Sequence, residues 1–301
     1  MADGKSSKKT AIFAVNGYLN RIMTYNQLFE NIKSCGSFLC VGLDTDPELI
    51  PVHFLAETNR LLLFNMEIID ATAPYCVAYK LNTAFYEAEG TVGIDQMLMT
   101  VRYIRKKYPE KLIIADAKRG DIGNTAERYA KAYFDTFDFD AITLNPYMGS
   151  DSVRPFLDHD GKWSIILALT SNKSSEEFET FGEAPNMPNA FNESLYGTVI
   201  EKAKFWGSRD NTMFVVGATK ADSLKKIRKY CPDHFLLVPG VGAQGGSLEE
   251  VANAGLNSHC GLLVNSSRGI IYASRDEKFA SAAGKAAAEM AKQMKILMKR
   301  I

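Results

Sequence analysis

Eight short apolar runs recur along the chain from Phe38 onward, and each pair is separated by a longer stretch. The runs are FLCVGL (38–43), VAYKLN (77–82), LIIAD (112–116), AITL (141–144), SIILAL (164–169), MFVVG (213–217), FLLVP (235–239) and GLLVN (261–265). A strand buried on both faces reads as a continuous apolar run, and parallel strands need helical crossovers. Stretches such as TNRLLLFNMEIIDATA, IDQMLMTVRYIRKKY, NTAERYAKAYFDTF and ADSLKKIRKY carry helical spacing, and an Ala-rich helix is predicted from about Lys278 to Lys299. Eight βα units in roughly 260 residues predict a single-domain (β/α)8 TIM barrel.

One interval breaks the rhythm. After Leu169 the chain runs through SNKSSEEFETFGEAPNMPNAFNES, a polar stretch that reads as an extended loop after the fifth strand, over residues 171–192. Lid over a site and plain insertion both fit a loop of this length. Residues 1–22 are polar and basic, lack a secretory apolar region, and read as an extension or leader; Asp3 and the scarcity of Arg disfavour a transit peptide. The barrel domain is assigned to 23–301. Over the whole chain 35 Lys+Arg balance 35 Asp+Glu, which argues against bulk nucleic-acid binding. No run approaches the length of a membrane span. Five scattered cysteines without a C-x-x-C fit reduced, mostly buried thiols and a cytoplasmic chain.

Barrel chemistry sits at the C-terminal mouths of the strands. Those mouths carry Asp44, Lys80 and Asn82, Asp116 with Lys118 and Asp121, Asn145, Thr170–Ser171–Asn172, Thr219, Gln244, and Asn265 with Arg268. Strand ends are polar wherever loops begin, which accounts for Asn145 or Thr219. It accounts poorly for a lysine inside VAYKLN, because burying an unpaired ammonium costs several kcal/mol. LIIADAKRGDIGNTAERYA is the densest segment. Residues two apart on an extended strand face the same way, so Asp116 and Lys118 should project together, and Asn124 with Glu127 should form a capping box that fixes the following turn. With Lys80 alongside, the charges alternate Lys, Asp, Lys, Asp. Either this is a structural ion-pair cluster, or it is a preorganised array whose carboxylates keep the lysines cationic. A cationic lysine can stabilise and then protonate a carbanion.

PGVGAQGG (239–246) matches G-x-G-x-x-G, but no Asp or Glu follows between residues 251 and 275, which disfavours dinucleotide binding. Glycines after strand seven together with SSRG after strand eight fit a barrel phosphate site, with Arg268 as a forked donor. There is no G-x-S-x-G, H-E-x-x-H or G-x-x-x-x-G-K-[ST], and His53, His159, His234 and His259 fall away from the rim. Lysines interleaved with Asp44, Asp116 and Asp121 already neutralise those carboxylates, so no metal is expected.

The motifs FLCVGLDTDP, YKLNTAFYE, DAKRGDIGNTA, TLNPYMG, LTSN, VPGVGAQGG and NSSRGIIYA span almost the whole chain after Met23. Together they resemble the orotidine 5′-monophosphate decarboxylases. The D-x-K-x-x-D core belongs to a decarboxylase superfamily, the glutamine of PGVGAQGG narrows it to this family, and the long TLNPYMGSDS and NSSRG versions resemble the longer bacterial and protozoal-type branch. Ser267 departs from the glycine that precedes the phosphate arginine in many relatives. The resemblance implies that Lys118 protonates C6 of the pyrimidine, that Asp116 lies beside the substrate carboxylate, and that Lys80, Asp116, Lys118 and Asp121 form the charge network. It implies that Asp121, Ile122 and Thr125 come from a neighbouring subunit, giving a homodimer with shared sites. Asp44, Lys80 and Asn82 would meet the ribose. Thr170 or Ser171 would read the base, with Pro239 lining its pocket, and Gln244 and Arg268 would grip the phosphate.

The implied reaction converts orotidine 5′-monophosphate to uridine 5′-monophosphate and carbon dioxide without a cofactor. Its C6 carbanion lies in the ring plane, out of reach of the ring π system, so fixed charges must stabilise it. Two rivals stay open: a metal-dependent sugar-phosphate enzyme of the same superfamily, and a non-catalytic barrel that binds uridine nucleotides.

Overall fold

Each of the eight apolar runs forms a strand in the computed structural model, which describes residues 22–182, 194–242 and 245–300. The strands are β1 (Leu39–Gly42), β2 (Ala78–Asn82), β3 (Leu112–Arg119), β4 (Ala141–Leu144), β5 (Trp163–Leu169), β6 (Thr212–Val216), β7 (Leu236–Pro239) and β8 (Leu262–Ser266). They pair in sequence order, all parallel, and β8 closes on β1 through Leu39↔Val264 and Cys40↔Asn265. Continuous burial along β1, β4 and β6 explains why these segments read as unbroken apolar runs. The (β/α)8 barrel expectation holds.

Helices cross back between the strands at Arg60–Thr72, Gly90–Lys107, Gly123–Lys131, Leu195–Trp206, Ala221–Tyr230, Leu248–Gly255 and Phe279–Leu297. Ala221–Tyr230 shows why such sequences fold so: Leu224 and Ile227 are buried on one face, while lysines cover the other. Helix Tyr25–Cys35 is set by a capping box between Thr24 and Gln27 and ends at Gly36 with φ 65°. It packs beneath the barrel, with the Tyr25 ring 5.1 Å from Phe235 and Trp163 Nε1 donating to the Met23 carbonyl at 2.7 Å. A charged cluster also braces the N-terminal end of the strands. There the Arg105 fork grips both Asp140 oxygens at 2.9 and 3.2 Å, and Asp140 accepts the Ile113 amide.

One local expectation fails. Asn124 and Glu127 form no capping box, because the helix opens one residue earlier at Gly123, whose φ is 56°. Asn124 therefore lies inside the first turn, and Ile122 occupies the cap position without a side-chain bond. The five cysteines are free thiols, four of them buried. No described helix is long and apolar enough to cross a membrane. The expected leader, apart from Ile22, and residues 183–193 of the long loop lie outside the described residues.

Candidate active site

The centre of the site is a defect in the ladder. β3 pairs with β4 through Ala115↔Ile142 and then Arg119↔Leu144, so β3 advances from 115 to 119 while β4 advances only from 142 to 144. Two extra residues bulge out, and Lys118 takes φ 48°. Asp116 and Lys118 do face each other, with Nζ 2.6 Å from Oδ1, but the bulge brings them together in place of regular strand alternation. Thr143 of β4 pins the bulge from the neighbouring strand. Its hydroxyl accepts the Lys118 amide at 3.0 Å and donates to Asp116 Oδ1 at 3.0 Å. On the other side, Arg119 donates to the Ala117 carbonyl at 2.9 Å, pairs with Glu87, and lies over the Tyr129 and Tyr133 rings.

Lys80 completes the array from β2. Its ammonium lies 2.7 Å from Asp116 Oδ2 and 3.5 Å from Asp44 Oδ1, and its side chain is only 4% exposed. Burial alone would drive the proton off Lys80, yet Asp44 and Asp116 outweigh it and lift its pKa above the ordinary lysine value. Burial likewise opposes ionisation of Asp116, but Lys80 and Lys118 together hold its carboxyl far below the usual range. Lys118 is half exposed and reaches into the cavity, so the order within one chain is Asp44, Lys80, Asp116, Lys118.

Lys80, Asp116 and Lys118 form one wall of a cavity of about 430 Å3, within the range of small-molecule sites, with Asp44 behind Lys80. Thr170, Ser171 and Pro239, all singled out from sequence, line it as well. Leu167, Val215 and Leu237 supply an apolar wall, where the local dielectric falls and fixed charges act more strongly. Asp44 Oδ1 is buried without a hydrogen-bond partner among the described residues. Asn82 pairs in register with Asp116 and uses its side chain to cap Ala84.

Other expected residues stand elsewhere. Asp121, Ile122 and Thr125 do not line the cavity of their own chain, and Ile122 is 48% exposed. Among the described residues Asp121 bonds only the adjacent Ile122 amide, so it does not extend the array there. Arg268 is exposed at the start of the short helix Arg268–Ile271, next to β8. Gln244 lies outside the described residues. The surrounding Gly240, Gly242 and Gly245 adopt φ between 76° and 97°, as a tight glycine loop requires. Ser267 sits against Gly42, where a Cβ would fall 1.8 Å from its hydroxyl.

The family model described as orotidine 5′-phosphate decarboxylase / HUMPS matches residues 37–283. The chain belongs to this family. It is 54% identical over 276 residues to the orotidine 5′-phosphate decarboxylase of Phocaeicola vulgatus, covering 92% of this chain and 99% of that protein. The corresponding protein of Bacteroides fragilis is 53% identical over 279 residues, covering 93% and 100%. Among solved structures, the OMP decarboxylase of Leishmania donovani superposes with a TM-score of 0.74 at 33% identity, covering 91% of this chain and all of that one.

Within this decarboxylase-family barrel, sequence reading missed Thr143, Phe178 and Glu179 in the cavity wall. Thr143 left a signal, a lone hydroxyl inside the apolar run AITL. Glu179 left none, since one glutamate in an acidic loop carries no periodicity.

Proposed function

We propose that the cavity decarboxylates orotidine 5′-monophosphate to uridine 5′-monophosphate, and that Lys118 is the proton donor. The carrying observation is the Lys80–Asp116–Lys118 chain of contacts at the mouths of β2 and β3, buried at Lys80 and opening into the cavity at Lys118. The Asp116 carboxylate is held between two ammonium groups beside an apolar wall, which suits a reaction that develops a localised carbanion. The bond from C6 to the carboxylate carbon breaks, its electron pair stays in the ring plane at C6, and carbon dioxide leaves. Lys118 then delivers its proton to C6 and is reprotonated from solvent.

The rest of the nucleotide fits the rim in order. Asp44, whose buried Oδ1 faces the Lys80 ammonium without a hydrogen bond, Lys80 and Asn82 face the ribose hydroxyls. Thr170 or Ser171 reads the base above Pro239, and Arg268 with Gln244 and the glycine loop takes the phosphate. Phosphate binding, remote from the breaking bond, supplies energy to close the loops around the ring. Asp121, Ile122 and Thr125 serve the cavity of a second copy in a homodimer. Exposed Ile122, Tyr147 and Met148 on the loops after β3 and β4 support such a contact.

The direct test follows orotidylate absorbance with purified protein in EDTA. Loss of the substrate band with formation of uridine 5′-monophosphate is expected. An unchanged spectrum, or activity that EDTA abolishes, would contradict the reading.

A further inference from the structure

At the end of β5 the chain turns sharply at Thr170, and both of that residue's donors meet one carboxylate. The Thr170 amide donates to Glu179 Oε2 at 2.7 Å, and its hydroxyl lies 2.8 Å from Glu179 Oε1. The same hydroxyl is 2.6 Å from the Asn172 side-chain oxygen, so its single proton is already committed inside the loop. Ser171 differs: it lines the cavity and its hydroxyl makes no bond among the described residues. Glu179 is itself fixed at both backbone ends. Its amide donates to the Ser175 carbonyl at 2.8 Å, and its carbonyl accepts the Tyr196 amide of helix Leu195–Trp206 at 2.8 Å.

From this geometry we infer that Glu179 is a positioning residue, which locks the Thr170–Ser171 turn so that Ser171, not Thr170, presents its hydroxyl to the pyrimidine. The inference rests on the reading that this turn meets the base of a uridine nucleotide. A carboxylate receiving an amide and a hydroxyl makes two charge-assisted bonds, stronger than neutral ones. Without it the Thr170 amide loses its partner at the cavity mouth, and the turn is free to seek another. Glu179 acts on the base end alone, because the ribose and phosphate contacts come from β1, β2, β7 and β8.

Two inhibitors separate these ends: uridine 5′-monophosphate, and ribose 5-phosphate, which lacks the base. In the full-length enzyme, Glu179→Ala should weaken the nucleotide about tenfold or more and leave ribose 5-phosphate within about twofold. Glu179→Gln, which keeps an acceptor for the amide, should restore most of the loss. Thr170→Val, which removes only the hydroxyl arm, should fall between and keeps the test open if Glu179→Ala folds poorly. Equal weakening of both inhibitors, or of neither, overturns the assignment. Ser171→Ala tells the two levels apart. If it leaves nucleotide affinity unchanged, the base-reading turn itself is wrong and the inference falls with it. If it weakens the nucleotide while Glu179→Ala does not, the role of Glu179 alone is refuted.

Discussion

Lys118 sits in a left-handed backbone conformation that costs a non-glycine residue about 1–3 kcal/mol. Thr143 and Arg119 hold it there from two sides. The sequence revealed which residues carry charge, since a lysine within VAYKLN and a D-x-K at a strand end are both costly unless paired. It did not reveal how they meet, because a bulge depends on pairing with β4 and has no local signature. His234 makes the opposite point: it is buried against Phe214, and neither ring nitrogen has a hydrogen-bond partner among the described residues. Burial, aided by nearby Lys204 and Arg228, pushes its pKa down to about 4. The folded value lies below the unfolded one, so the unfolded chain binds more protons between them, and stability falls as pH drops from about 6.5 towards 4. Over that window the effect is about 3 kcal/mol. Denaturant titrations from pH 7 to 4 should show His234→Phe losing less stability than the parent; parallel curves would contradict this.

Among the elements, the strands were the most legible, because burial on both faces leaves an apolar run that needs no knowledge of neighbours. Helix Ala221–Tyr230 was equally plain from its spacing. The start of helix Gly123–Lys131 was not, since a glycine with positive φ took the place of a side-chain cap. The turn after β5 also depends on a distant partner. The Gly217 amide, just beyond β6, donates to the Leu169 carbonyl, and a Cβ on Gly217 would lie 2.7 Å from both the nitrogen and the Cα of Ser171. Gly217→Ala therefore displaces the turn, at about 1–3 kcal/mol for such overpacking. Raised KM for orotidylate with a modest drop in melting temperature is expected. An unchanged KM would show that the turn does not set substrate affinity.

Across the whole molecule, two charge clusters lie at opposite ends of the barrel. Arg105 and Asp140 brace the N-terminal end, whereas Lys80, Asp116 and Lys118 face the cavity at the other. Sequence alone could not tell a bracing cluster from one that lines a cavity; position at the strand mouths separates them. If Asp121 serves a second copy, Lys118→Ala and Asp121→Ala proteins are each inactive, and random re-pairing on mixing restores about a quarter of the sites. A mixture that stays inactive would argue against shared sites. The central claim is that one fixed ammonium both stabilises and protonates the carbanion. Its most direct test is orotidylate turnover by Lys118→Ala, measured alongside binding of uridine 5′-monophosphate. The account predicts turnover lower by about 10^4-fold or more with nucleotide binding still measurable; turnover near the parent level would contradict it.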